Sequence, residues 1–266
     1  MDLELDGKTA IVTGGSRGIG KAIARLLAQE GVDVVIVART REPLDETAAE
    51  LQRETGRRII PITANTGDDD SVKAMVQGAA EALGHLDILV NCAAQVGGTG
   101  PSQALADITH DNVWADMNVK VMGYLRCAQA VAPYMQRQGW GRIVNISGMA
   151  ARRAGGTTGS MRNASVVALT KNLAMELGPH GINVTVVHPG GTRTERTAAV
   201  IAAQAERQGI SQDEVERRMA EGNSVRKIID APDIAYVVTF LASPKSIAIN
   251  GDLIAAGGGP DDNIYY

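Results

Sequence analysis

The chain has 266 residues, 44% of them apolar, 21% charged and 3% aromatic, with a formal net charge of −4. Such a length and apolar fraction suit one α/β domain with a core of ordinary size, built from Ala, Val, Ile and Leu. The acidic balance and the lack of a basic block argue against a nucleic-acid partner. No stretch approaches the roughly 18 uninterrupted apolar residues of a membrane span. The start, MDLELDGKTA, reads as no signal peptide, and the expected location is cytoplasmic. Cys92 and Cys127 are too few for a disulfide framework and fit a reducing compartment. No Cys/His cluster has metal-ligand spacing, so no metal is expected.

Short β-branched runs alternate with longer helical patterns. TAIVTGG (9–15) reads as a strand, followed by a helix with Ile19, Ile23, Leu26 and Leu27 on one face. VDVVIVAR (32–39) is continuously apolar, as a parallel strand covered on both faces should be. A charged helix follows at about 43–56, then a strand IIPITAN (59–65) and a helix opening at Asp68–Ser71. LDILVNCAA (86–94) and GRIVNISG (141–148) are further strands, separated by a long helical stretch at about 111–138. A helix at about 160–178 leads to the strand INVTVVHPG (182–190). One more helix begins near Pro232, and DLIAAGG ends the fold as a short strand. Strict alternation demands crossover connections. The expected architecture is therefore a single domain over 1–266, a doubly wound parallel sheet of about seven strands with helices on both faces.

The rhythm breaks at about 191–230. This segment is polar, Ala-rich and punctuated by Gly209 and Gly222. It follows the C-terminal end of a strand, where open α/β sheets place their ligands, and is read as a two-helix lid over a substrate.

The segment TGGSRGIG (13–20) lies between the first strand and an amphipathic helix. Gly14 allows a tight turn, Gly18 removes a side chain where backbone approaches phosphate, and Gly20 lets helix and strand pack closely. The helix N-terminus then offers free N–H groups and a positive dipole to a diphosphate. The second strand ends on Ala38 and Arg39, with no carboxylate to accept a ribose 2′-hydroxyl or repel a 2′-phosphate. Arg39 and Arg17 can instead pair with such a phosphate.

The spacing G-x-x-x-G-x-G resembles the glycine motif of the short-chain dehydrogenase/reductase family, and the resemblance runs nearly the whole length. NCAA (91–94) is similar to the family's Asn-Asn-Ala-Gly turn beneath the adenosine, Asn118 to its helix asparagine, and Ser147 to its catalytic serine. HPGGTRT (188–194) resembles its Pro-Gly turn against the nicotinamide. Taken together, these imply a Rossmann fold binding NADP(H) in preference to NAD(H). The implied cofactor residues are Gly14, Ser16, Arg17, Gly18, Ile19, Gly20, Arg39, Asn65, Thr66, Asn91, Ala93, Asn163, Pro189, Gly190, Thr192 and Thr194. Ser147 and Asn118 are the implied catalytic residues. Asn65 stands where the family has Asp near the adenine amino group, and its side-chain carbonyl can accept the same hydrogen bond.

One departure limits the inference. The family's Tyr-x-x-x-Lys motif, which supplies a proton donor and a ribose-holding cation, falls on Gly159 and Asn163 within GSMRN. No tyrosine lies between Tyr134 and Tyr236. Carbonyl reduction needs a proton for the developing alkoxide, and Gly159 has none to give. Ser160, Arg152, Arg153, Arg162 and His188 are the neighbouring substitutes, with His188 read as a strand-end residue that points away. The expectation is an NADP(H)-dependent oxidoreductase with non-standard acid–base machinery, acting on a small carbonyl, alcohol or imine-like substrate. A nucleotide-binding pseudoenzyme and a non-redox lyase or hydrolase are the alternatives. Apolar residues Val166, Val167, Leu169, Leu173 and Leu177 on the 160–178 helix, with the family resemblance, suggest a homodimer or homotetramer.

Overall fold

The computed structural model describes residues 1–94, 104–154 and 156–259. Seven parallel strands form one sheet in the order β3-β2-β1-β4-β5-β6-β9. They are β1 Thr9–Thr13, β2 Asp33–Ala38, β3 Ile59–Thr63, β4 Ile88–Asn91, β5 Gly141–Ile146, β6 Ile182–Pro189 and β9 Leu253–Ala256. The expected doubly wound architecture is therefore present. β1 and β5 are buried along their whole lengths and β2 along its inner residues Val34–Val37, and this cover on both faces is why β2 reads as a continuous rather than alternating apolar run.

Helices α1 (Gly18–Gln29), α2 (Arg41–Thr55) and α9 (Ala231–Ala242) cover one face, packing Ile23, Leu27, Leu44 and Val238 on Val12, Ile36 and Val144. Helices α3 (Asp69–Leu83), α5 (Gly123–Gln138) and α6 (Thr157–Leu177) cover the other, packing Met75, Val131 and Leu177 on Ile11, Leu89 and Ile143. The start of α3 is capped as its sequence implies, with the Asp68 carboxylate accepting from the Ser71 amide at 2.7 Å. Strand order reverses between β1 and β4, so the crevice at their C-terminal ends is where this topology holds a ligand.

Two features add to the expectation. The long helical stretch is not uniform: α4 (His110–Met117) and α5 are joined by a π-helical turn over Asn118–Met122. An extra residue in that turn re-aims the side chains that follow it. The 191–230 segment holds two helices, α7 (Thr197–Gln208) and α8 (Gln212–Glu221), which pack on each other through Ile201, Ala205 and Val215. Its ends are tied by a small parallel pair, β7 (Thr192–Arg193) with β8 (Ile229–Asp230), which the sequence pattern does not reveal. Among the described residues, no helix is long and apolar enough to cross a membrane.

Candidate functional site

A cleft of about 480 Å³ opens at the topological switch point. Gly14, Ser16, Arg17, Ile19, Gly20, Arg39, Thr66, Ala93 and Thr194 line it, all of them expected cofactor residues. The glycine turn earns its composition by close approach. A Cβ on Gly20 would sit 2.2 Å from the Gly14 carbonyl oxygen. Gly14 has φ +71, and a Cβ there would be 3.0 Å from the Ala93 nitrogen. At Gly18 (φ +57) a Cβ would meet the Thr194 methyl at 3.4 Å. The Gly18 amide donates to the Glu195 carboxylate at 2.9 Å, so an anionic group already sits at the start of α1. Arg17 and Arg39 are exposed at the cleft, and neither guanidinium has a hydrogen-bond or ion-pair partner among the described residues. These features fit a phosphorylated dinucleotide.

The remaining expected cofactor residues surround the cleft rather than line it. Asn91 is fully buried on β4 and donates to Asn145 Oδ1 at 2.9 Å, and Asn145 donates onward to Thr170. Asn65 Oδ1 accepts from the Gly67 amide. Gly190 passes close to Gly257, where a Cβ would meet Gly257 Cα at 2.9 Å, and Thr192 Oγ1 donates to the Gly190 carbonyl.

The reaction end has an unexpected centre. Lys120, carried inward on the π-helical turn, is only 4% exposed. Its Nζ donates to the Ser147 carbonyl oxygen and to Asn163 Oδ1, both at 3.0 Å. Burial, helped by the Arg162 guanidinium, pushes this ammonium down to about 7. The Ser147 hydroxyl donates to the Asn163 carbonyl oxygen at 3.0 Å, and the Asn118 amide donates to the Gly67 carbonyl at 3.1 Å. No hydrogen bond joins Ser147 to Asn118.

Three of the substitutes, His188, Arg162 and Ser160, are held by identified partners. His188 does not point away. It is fully buried, its Nδ1 accepts from the Gly148 amide at 3.1 Å, and its Nε2 is buried without a partner among the described residues. Burial, with Arg152 and Lys120 nearby, holds it down to about 4, so it is neutral at pH 7. Arg162 is committed to Asp116, with both carboxylate oxygens at 2.7 Å. Ser160 donates to the Arg153 carbonyl. Burial drives the Tyr124 phenol well above its usual range, and its hydroxyl donates to the Ile146 carbonyl. Cys92, beside the cleft, is pushed up to about 11 by burial. A Cβ placed on Gly159 would have, among the described residues, only the Ala150 methyl within 4 Å. Lys120 escapes a reading of the sequence because it sits mid-helix, although a lone lysine within the apolar run VKVM is the signal that could have found it.

The short chain dehydrogenase family model matches residues 8–205. The chain is 36% identical over 251 residues to the short-chain reductase protein NovJ of Streptomyces niveus, covering 94% of this chain and 92% of that protein. It is 34% identical over 264 residues to the 3-oxoacyl-[acyl-carrier-protein] reductase FabG of Staphylococcus aureus, covering 95% and 97%. The crystal structure of L-sorbose reductase from Gluconobacter frateurii, complexed with NADPH and L-sorbose, superimposes with a TM-score of 0.92 at 26% identity over 99% of this chain and 100% of that one. With the glycine turn, the strand order and these matches in agreement, the chain belongs to the short-chain dehydrogenase/reductase family.

Proposed function

We propose that this protein is an NADP(H)-dependent reductase of a small carbonyl or imine-like substrate. The observation that carries the reading is the pair Arg17 and Arg39, guanidiniums on the rim of the dinucleotide cleft without a partner among the described residues. They match a 2′-phosphate in charge and in bidentate geometry, and no carboxylate ends β2 to oppose it. The reductase activities named for NovJ and FabG, and the NADPH in the L-sorbose reductase complex, support the same assignment.

When bound, the cofactor would supply hydride. Gly14, Gly18 and Gly20 would admit its diphosphate to the start of α1, Arg17 and Arg39 its 2′-phosphate, and Thr66 and Ala93 its adenosine. Pro189, Gly190, Thr192 and Thr194 would border its nicotinamide half, with Asn163 at the ribose. Ser147 and Asn118 serve this arrangement as positioning residues. The Ser147 hydroxyl holds α6 against the end of β5, and the Asn118 amide ties the π-helical turn to the loop at Gly67. The α7–α8 pair, clamped at its base by β7 and β8, is read as a substrate lid.

Assembly as a homodimer or homotetramer is part of the proposal. Val166 and Leu177 are buried within the subunit, and Val167, Leu169 and Leu173 pack against its core clusters. Support comes instead from Met161 and Met175, which are exposed on α6, and from Trp114 on α4. Light scattering tests it. The free thiols Cys92 and Cys127 are the basis for proposing a reducing cytoplasm.

Fluorescence titration with NADPH, followed by its oxidation on a panel of carbonyls and imines, tests the main reading. Absence of binding overturns it. Gly159, in the place of the family's tyrosine, favours a second reading as a nucleotide-binding regulator. Tight binding without turnover on any substrate would select that one.

A further inference from the structure

The family's proton donor and ribose cation are both missing from α6, yet the same floor of the site holds a buried lysine delivered from another helix. We propose that Lys120 is the catalytic acid of this enzyme, giving the proton that the substrate oxygen needs. This rests on the reductase reading above.

The placement is specific. Lys120 Nζ is held by the Ser147 carbonyl at the end of β5 and by Asn163 Oδ1 on α6. The lysine ammonium has three N–H donors and no acceptor, and these two acceptors take two of them. The third proton is the one available for transfer. After transfer the amine keeps both hydrogen bonds, so losing the proton breaks no contact. The contact with Lys120 also fixes the Asn163 amide with its oxygen inward and its NH2 toward Gly148, where a Cβ would lie 3.2 Å from Nδ2. Gly148 lacks a side chain beside the Asn163 amide, and a Cβ on Gly159 would have, among the described residues, only Ala150 within 4 Å.

The charged and titratable groups around Nζ make proton release feasible near neutral pH. Arg162 on α6, paired with Asp116 on α4, opposes the charge through its guanidinium. Cys92 after β4 is a neutral thiol, and His188 on β6 is a neutral imidazole with Arg152 near it. Burial is the largest influence and acts in the same direction as Arg162. During reduction the carbonyl carbon gains a hydride from NADPH, which leaves as NADP⁺. The C=O π pair moves to oxygen, and that oxygen takes a proton from Nζ. Solvent then returns a proton to the neutral amine.

Two variants and two readouts test this. Lys120→Met removes the donor. Lys120→Arg keeps a cation but cannot release a proton near neutral pH. Both should bind NADPH within about threefold of wild type and lose about 100-fold or more in kcat/KM, the usual contribution of a general acid. Wild-type kcat/KM for reduction should fall above about pH 7, and this limb should vanish in Lys120→Arg. Independently of turnover, carbon-13 NMR of lysine-labelled protein should give one resonance titrating near neutral pH, absent from Lys120→Met. Reduction retained in both variants overturns the role of Lys120 alone, as does a spectrum with no such resonance. Failure of the wild type to reduce any carbonyl or imine overturns this role together with the reductase reading.

Discussion

The Glu195 carboxylate accepts a hydrogen bond from the Gly18 amide at 2.9 Å, across 177 residues of sequence. It brings the first residue beyond the HPGGTRT turn onto the N-terminus of α1, the position a cofactor diphosphate would take. A carboxylate and a diphosphate cannot share that amide, so Glu195 must withdraw for the cofactor to bind. Glu195→Gln keeps the size and removes the charge. It should tighten NADPH binding about two- to fivefold, the value of one charge at a helix terminus. Fluorescence titration reads the change, and unchanged or weaker binding would count against the competition.

Arg39 sets the choice between cofactors if the 2′-phosphate is what it recognises. Replacing it with Asp removes a charged hydrogen-bond donor and adds a group that repels the phosphate and accepts a ribose hydroxyl. NADPH affinity should fall at least about tenfold while NADH affinity holds or rises. Paired titrations of the two nucleotides decide it. A parallel loss of both would mean that Arg39 acts only on folding of the loop after β2.

His188 makes stability depend on acid. Its imidazole is held down to about 4 in the fold, against an ordinary value of 6.5. The unfolded chain therefore binds the extra proton first as pH falls. The stabilisation is present above pH 6.5 and is lost as pH drops toward 4. His188→Asn keeps an acceptor for the Gly148 amide without a titrating ring. Urea midpoints for wild type should fall more steeply between pH 6.5 and 4 than those of this variant, and equal slopes would contradict the assignment.

Gly159→Tyr should be accommodated, because among the described residues a Cβ at this position meets only Ala150, at 3.9 Å. It should add a second proton donor and raise carbonyl reduction above pH 8, where Lys120 is largely deprotonated. Adding Asn163→Lys should undo the gain. That change removes an acceptor of Lys120 and sets a second ammonium beside it. We expect the double variant to lose roughly 5 °C in Tm relative to Gly159→Tyr, as about 2 kcal/mol would give in a domain of this size. Equal thermal stability would show that Lys120 and position 163 do not interact.

The fold and the cofactor cleft were legible from the residues because both depend on local pattern. Val34–Val37 announce a strand covered on both faces, and the Gly14, Gly18 and Gly20 spacing follows from backbone contacts within one turn. Arg39 was readable for the same reason, as it directly follows β2. What the sequence by itself determined was therefore the doubly wound sheet, the glycine turn and the loss of the usual tyrosine and lysine. The tertiary structure alone decided what stands in their place. Lys120 lies 43 residues from Asn163, and its direction depends on a π-helical turn that no apolar periodicity encodes. His188 likewise meets Gly148 only because β5 and β6 are neighbours. A buried ammonium gains its chemistry from desolvation and from the charges packed around it, and both arise only when distant segments close over it.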